Sequence, residues 1–238
     1  MLQSLVNEVE PSQTDQIIQP VWRERDDRST DHPVNHSNHY RGESKGLFSH
    51  ATFAKQFAQQ PLSTGAIAPS SKRLARQVAQ LAHLDKAGTV VELGPGTGVF
   101  TEQITRLLSD KSLFFAIELN KNFVQATNIR CPHVPVYHDQ AASLPVYLQQ
   151  NNRTCADRVI CSLPWTIFDE HEQDHILTTI SDSLNPGGVF ISIIYWGARF
   201  RARGRYFINS LPYHFSSVHS TPIVWQNLPP TQIYCCIK

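Results

Sequence analysis

The residues that could do chemistry gather around one turn. In Val90-Val91-Glu92-Leu93-Gly94-Pro95-Gly96-Thr97-Gly98-Val99-Phe100-Thr101, a β-branched run enters a glycine-rich turn and then a helix-like segment. Gly94 and Gly96 allow backbone angles and a close ligand approach that a Cβ would forbid. Gly98 allows tight helix–strand packing. The spacing is G-x-G-x-G, not the G-x-G-x-x-G of dinucleotide binders, and the Gly-Lys-Ser/Thr of a phosphate-cradling loop is missing. Glu92 would repel a pyrophosphate but would welcome the ammonium of a methionine-like moiety. Glu118 ends the run Leu113–Glu118, roughly 20 residues on, where an acid accepts hydrogen bonds from ribose hydroxyls. Asp139 follows the run Val134–His138, where an acid could meet an adenine amino group. Alone, Glu118 reads equally well as a solvated strand end. The ordered set Glu92, Gly94, Gly96, Glu118 and Asp139 is what points to a nucleoside carrying a cationic amino-acid end.

A second group follows the run Arg158–Ser162. Ser162-Leu163-Pro164-Trp165 leaves the fourth strand at the edge where open α/β sheets bind ligands. Its proline turn exposes carbonyls that can accept hydrogen bonds from an amine. Trp165 offers a ring face for a cation, worth roughly 0.5–2 kcal/mol; it reads equally as a packed aromatic lid. Tyr195 and Trp196, at the end of the fifth strand, could line the same pocket, and Tyr40 could close over it. No Ser–His–Asp or Cys–His set is evident. His138 is the nearest candidate base, and a strand-end histidine is more often structural. Arg199, Arg201, Arg203 and Arg205 alternate with aromatic or small residues. They could contact lipid phosphates, RNA phosphates or only solvent.

The elements that must position these groups alternate. Strands are expected at Thr89–Leu93, Leu113–Glu118, Val134–His138, Arg158–Ser162 and Val189–Tyr195, each short and nearly all apolar, as in a parallel sheet buried on both faces. Helices are expected at Phe100–Leu108, Asn122–Ile129, Ala141–Gln150 and Glu172–Leu184, the last stopped by Asn185-Pro186-Gly187-Gly188. Ser216–Ser220 and Thr231–Ile237 add two strands. The prediction is a Rossmann-like, doubly wound, mostly parallel seven-stranded sheet with helices on both faces. A helix from Lys72 to about Leu84, capped by Ser70 or Ser71, precedes it. Residues 46–85 form a helical segment, with Phe53 and Phe57 at i, i+4 spacing and Phe48 nearby; residues 86–238 form the main domain. Residues 1–45 are polar and read as a flexible extension, in which His32, His36 and His39 are solvated rather than metal ligands.

The whole chain narrows the classes. Its 238 residues carry a net charge of +1, which gives no global electrostatic case for nucleic acid. Its five cysteines include no C-x-x-C pair, which argues against zinc, and the neighbours Cys235 and Cys236 read as buried small side chains. No run approaches the roughly 20 apolar residues that span a bilayer, and no signal peptide is evident. The expected location is the cytoplasm.

The ordered acids and glycines resemble class I S-adenosylmethionine (SAM)-dependent methyltransferases over about residues 45–238. The segments Gly65-Ala66-Ile67-Ala68-Pro69-Ser70-Ser71, Val91 to Gly98, Ser162 to Trp165 and Val224-Trp225-Gln226-Asn227-Leu228-Pro229-Pro230 look like the bacterial phospholipid N-methyltransferase family. That family is similar in its core to the rRNA adenine dimethylases. The resemblance implies SAM as cofactor, leaving as S-adenosylhomocysteine. The cofactor contacts it implies are Glu92, Gly94, Pro95, Gly96, Thr97, Gly98, Glu118, Leu119, Asp139, Gln140 and Ser162, with Gly65 and Ser70. Transfer would occur at Ser162, Leu163, Pro164 and Trp165, with the acceptor against Trp165, Tyr195, Trp196 and Tyr40. It also implies stepwise methylation of a phosphatidylethanolamine-type amine, with peripheral contact at the inner membrane face through Arg199, Arg201, Arg203 and Arg205, and no metal. The sequence departs from the family at His138-Asp139-Gln140, where Gly-Asp-Ala is usual, and at Ser162, where glycine is common. These departures and the polar N-terminus leave open a specialised relative acting on another amine or amide. A soluble small-molecule acceptor, RNA adenine and a SAM-binding module without turnover remain alternatives.

Overall fold

The computed structural model describes residues 19–20, 69–227 and 229–238. Eight strands form one sheet: β1 (Gln19–Pro20), β2 (Thr89–Leu93), β3 (Leu113–Glu118), β4 (Val136–His138), β5 (Ala156–Cys161), β6 (Leu184–Tyr195), β7 (Ser217–Ser220) and β8 (Thr231–Ile237). Six α-helices are described: α1 (Pro69–Ala82), α2 (Val99–Thr105), α3 (Lys121–Arg130), α4 (Leu144–Gln150), α5 (Glu170–Asp182) and α6 (Ala202–His214). The strand order is β1-β7-β8-β6-β5-β2-β3-β4. Strands β4, β3, β2, β5 and β6 run parallel, and β8 is antiparallel to both β6 and β7.

The chain steps outward from β2 through β3 to β4. It then returns to place β5 on the other side of β2. The order of strands therefore reverses at β2, the point where open α/β sheets leave a crevice at the strands' carboxyl ends. The central strands are apolar on both faces because both are covered. All five residues of β2 are buried, Glu92 among them. On one face Val90, Ile160, Ile191 and Ile233 pack with Leu74, Val78 and Leu81 of α1. On the other, Phe190 stacks on Phe215 with ring centroids 5.2 Å apart, and α5 packs against α6 and β6.

Local chemistry fixes the helix starts. Asp169 and Glu172 form a reciprocal capping box on α5: the Asp169 carboxylate accepts from the Glu172 N–H at 2.9 Å, and Glu172 accepts from the Asp169 N–H at 3.0 Å. The Asn120 side chain caps α3 by accepting from the Asn122 N–H at 2.9 Å.

Several expectations are corrected. Helix α1 begins at Pro69, so Ser70 and Ser71 lie within its backbone rather than before it; proline is well suited to a first helical turn. Residues 19–20 of the polar extension form an eighth strand against β7, which would otherwise be an unpaired edge. Strand β6 reaches back to Leu184, with an irregular register opposite Ala156 and Arg158 that absorbs Asn185 to Gly188. The arginine run has regular structure. A 3-10 turn (Trp196–Phe200) leads into α6, which contains Arg203, Gly204 and Arg205. Phe48, Phe53, Phe57, His32, His36 and His39 lie outside the described residues.

Candidate active site

The glycine turn joins β2 to α2 directly over the point of strand reversal. Gly94, Gly96 and Gly98 all have left-handed φ values, of 74°, 60° and 73°. At Gly98 a Cβ would sit 3.0 Å from the Thr127 Cα and Cγ2, so its bareness serves helix packing. At Gly96 a Cβ would meet nothing within 4 Å. The space beside Gly96 is open, and its bareness serves an approach from outside.

The turn is fastened from below by side chains of α3. The Thr127 hydroxyl donates to the Gly96 carbonyl at 2.8 Å, and the Arg130 Nε donates to the Thr97 carbonyl at 2.9 Å. Arg130 also reaches Glu102 at 3.5 Å, and Glu102 pairs with Arg106 at 2.5 Å. Neither Thr127 nor Arg130 stands in a recognisable motif.

Glu118 ties the second strand to the turn. Its carboxylate accepts from the Gly96 N–H at 3.1 Å and from the Asn120 N–H at 2.8 Å. Burial pushes its pKa up, while these N–H donors pull it back. Two fixed N–H partners leave lone pairs on both oxygens for a diol. Asp139 comes next along the edge: its N–H donates to the Glu118 carbonyl at 3.1 Å. Its carboxylate accepts from the Gln140 N–H at 2.7 Å and the Tyr147 hydroxyl at 2.9 Å. Partial burial works against the charge, but these hydrogen bonds outweigh it and hold the pKa below the usual carboxylate range. Leu119, between the two acids, is exposed. The candidate base His138 is occupied with the Leu119 carbonyl at 3.0 Å, a structural role.

Glu92 stands apart from the other acids. It is fully buried in β2, and neither carboxylate oxygen has a hydrogen-bond partner among the described residues. The Thr101 hydroxyl is likewise buried and unpaired. Burial raises the Glu92 pKa to about 7 against the pull of the neighbouring Thr101 hydroxyl, and the negative charge of Glu118 adds to the rise. A buried carboxylate without partners is costly. A cation at this place would supply what it lacks.

The Ser162–Trp165 turn lies beside the glycine turn. The Ser162 N–H donates to the Leu93 carbonyl at 3.0 Å, and the Leu163 Cδ2 would lie 3.1 Å from a Cβ at Gly94. The carbonyls of Leu163, Pro164 and Trp165 accept from Trp165 N–H, Ile167 N–H and Gln173 Nε2 respectively. The Ser162 carbonyl has no donor among the described residues. Of the two readings of Trp165, the packed one describes its place in the structure. Trp165 is 2% exposed, stacks on Phe207 at 4.1 Å and donates its indole N–H to the Ser192 hydroxyl at 3.0 Å. It is a wall, fixed from three sides.

Gln173 is the residue that sequence reading missed. It is fully buried on α5, and its amide nitrogen faces the carbonyls of Trp165, Phe168 and Arg203 at 2.8, 3.2 and 3.1 Å. A polar residue on the face of α5 that carries Ile176, Leu177 and Ile180 was its sequence signal. Tyr195 is 36% exposed and pairs in register with Thr231. The Trp196 ring turns towards Phe200 and Trp225. Ser70 is in the first turn of α1; Gly65 and Tyr40 lie outside the described residues.

Comparison with known proteins agrees with this geometry. Residues 90–188 match the methyltransferase domain family. An ornithine lipid N-methyltransferase from Singulisphaera acidiphila is 26% identical over 187 residues, covering 77% of this chain and 93% of that protein. The O-methyltransferase TomG from Streptomyces achromogenes, solved with SAM, superposes with a TM-score of 0.59 at 18% identity, over 83% of this chain and 91% of that one. TrmN from Thermus thermophilus superposes with a TM-score of 0.55 at 16% identity over 71% of this chain; the chain spans about half, 52%, of that protein.

Residues 90–188 match the methyltransferase domain family, and the surrounding fold is the class I methyltransferase fold that binds SAM in TomG. The donor set fits that cofactor, with an open glycine at Gly96, a diol acceptor in Glu118 and an unpaired buried carboxylate in Glu92.

Proposed function

We propose that the chain transfers a methyl group from SAM to the nitrogen of a lipid headgroup amine of the phosphatidylethanolamine type. The observation that carries nitrogen over oxygen is the Ser162–Trp165 turn. It holds no titratable side chain, and the strand-end histidine His138 is engaged with the Leu119 carbonyl. A hydroxyl acceptor would need a base at that point. An amine needs only to shed its proton to water before it attacks. The likeness to an ornithine lipid N-methyltransferase supports an amine on a lipid.

Bound SAM supplies a methyl group already activated on a sulfonium. In this reading Glu92 faces the cofactor's ammonium, Glu118 and Leu119 the ribose, and Asp139 and Gln140 the adenine. The backbone of Gly94, Pro95, Gly96, Thr97 and Gly98 lies along it. The free Ser162 carbonyl accepts one N–H of the acceptor amine and aims its lone pair. Trp165, packed on Phe207, holds that carbonyl in place, and the hydrophobic surroundings exclude water. The new N–C bond forms as the S–C bond breaks, and S-adenosylhomocysteine leaves. Tyr195 borders the acceptor. The enzyme works in the cytoplasm at the inner membrane face, through Arg199, Arg201, Arg203 and Arg205.

The test is label transfer from methyl-labelled SAM to vesicles containing phosphatidylethanolamine, to vesicles containing ornithine lipid and to soluble ethanolamine-like amines. Label in an extractable lipid supports the reading. Label only in a soluble amine overturns the lipid acceptor, and label in neither overturns the activity.

A further inference from the structure

The charge of the chain is unevenly placed. None of the 20 acidic residues falls in residues 183–238, while five of the 21 basic ones do: Arg199, Arg201, Arg203, Arg205 and Lys238. That stretch carries +5 and the rest of the chain −4, a contrast hidden in the total of +1. All four arginines are exposed, and none forms an ion pair among the described residues.

An aromatic cluster stands beside them. The Trp196 ring lies at the centre, edge-on to Phe200 at 4.9 Å and tilted against Trp225 at 5.3 Å. The two outer rings are open to solvent, Phe200 at 63% and Trp225 at 61%. Solvent exposure of two such rings at one place is unfavourable in water. The Trp225 turn is held rigidly: Val224 bridges Thr231, and the Asn227 amide donates to the Thr231 hydroxyl and the Pro229 carbonyl at 2.6 and 3.0 Å. The Trp196 indole N–H is buried without a hydrogen-bond partner among the described residues.

The cluster is joined to the acceptor turn. Trp196 follows β6, whose Ser192 pairs with Cys161 at the end of β5. Arg203 Nη1 donates to the Ile167 carbonyl at 2.6 Å, and the Arg203 carbonyl accepts from Gln173.

We propose that Trp196, Phe200 and Trp225, ringed by Arg199, Arg201 and Arg205, form the surface by which the protein docks on an anionic bilayer, with Phe200 and Trp225 entering the interface. Aromatic rings with one apolar face and a wet edge settle at the headgroup level, and guanidinium groups bind the phosphates around them. Docking in this orientation sets the Ser162 turn against the headgroup layer. The inference rests on the lipid-amine reading for its purpose, not for its geometry.

The experiment is co-sedimentation with phosphatidylcholine vesicles and with vesicles containing phosphatidylglycerol, read together with quenching of tryptophan fluorescence by brominated acyl chains. The wild type should bind the anionic vesicles, less so at high salt, and be quenched. Arg199→Gln with Arg201→Gln should weaken binding about 30-fold, at about tenfold or less per arginine. Trp225→Phe should lose most of the quenching while remaining folded, and Phe200→Ala with Trp225→Ala should lose binding. The double alanine variant should still methylate a short-chain, monomeric lipid amine. Failure of the wild type to bind, or unchanged binding by both double variants, overturns the surface. Binding without methylation of any lipid amine overturns the acceptor reading and leaves the surface standing.

Discussion

The amide nitrogen of Gln173 lies 2.8 Å from the carbonyl oxygen of Trp165, inside the protein and out of reach of water. The same nitrogen faces Phe168 and Arg203, so one side chain fastens the acceptor turn to helix α5 and to the start of α6. Gln173→Leu keeps the volume and removes the donor. It should lower stability by about 1–3 kcal/mol, the cost of stranding buried carbonyls. It should lower kcat while leaving the Kd for SAM within about twofold, because no cofactor contact passes through α5. Thermal melts and calorimetry with SAM check the two halves separately, and equal loss of both would assign Gln173 a purely structural role.

Glu92 should make the ligand-free protein less stable as pH rises. Its carboxyl is protonated in the folded state up to about pH 7 and ionises near the usual 4.5 when unfolded. Between those values the folded state binds more protons, so unfolding free energy falls with pH, by about 3 kcal/mol in all, and is flat above 7 with respect to this group. Glu92→Gln should remove that slope in urea titrations from pH 5 to 8.

If the ammonium of SAM sits against Glu92, binding must ionise it. SAM affinity should then rise with pH up to about 7, by at most tenfold per unit. Calorimetry in buffers of different ionisation enthalpy at pH 6 should register about one proton released, and Glu92→Gln should register none from this site. Proton uptake, or no change between wild type and variant, would place the ammonium elsewhere.

The three glycines should fail in different ways. Gly96→Ala meets open space and bears only left-handed strain, about 1–2 kcal/mol. It should fold and lose SAM binding. Gly98→Ala meets Thr127 at 3.0 Å and should lose stability first. Melting curves with and without SAM separate the two.

Ser162→Ala should retain activity within a few-fold. The proposal assigns a role to the Ser162 carbonyl, and the hydroxyl has no partner among the described residues. A loss beyond about a hundredfold in kcat, roughly 2.7 kcal/mol, would give the hydroxyl a role in transfer.

Much of the fold could be read from the chain because its signals are local. Strands β2, β3 and β8 have the boundaries that their apolar runs predict. The turn has the positive φ values its glycines imply. Helix α6 was hidden by its own Gly204 and Pro212, residues that usually punctuate. Gly204 is there because a Cβ would fall 2.0 Å from the Ala198 carbonyl, a constraint set by the preceding turn and invisible in composition. The burial of Trp165 depends on Phe207 and Ser192, both more than 25 residues away in sequence. A surface role and a core role for that tryptophan differ only in what arrives later in the chain.

Strand β8 follows both β6 and β7 in the chain but lies between them in the sheet. Until residues 231–237 emerge from the ribosome, β6 presents an open edge whose Phe190, Ile191, Ile193 and Ile194 are strongly β-forming. A nascent chain stalled before Thr231 is therefore a template for aggregation, and late arrival of a single seven-residue strand converts it into a closed product. Translation pauses just upstream of that codon would favour inclusion bodies, and holding chaperones would act most usefully in that interval.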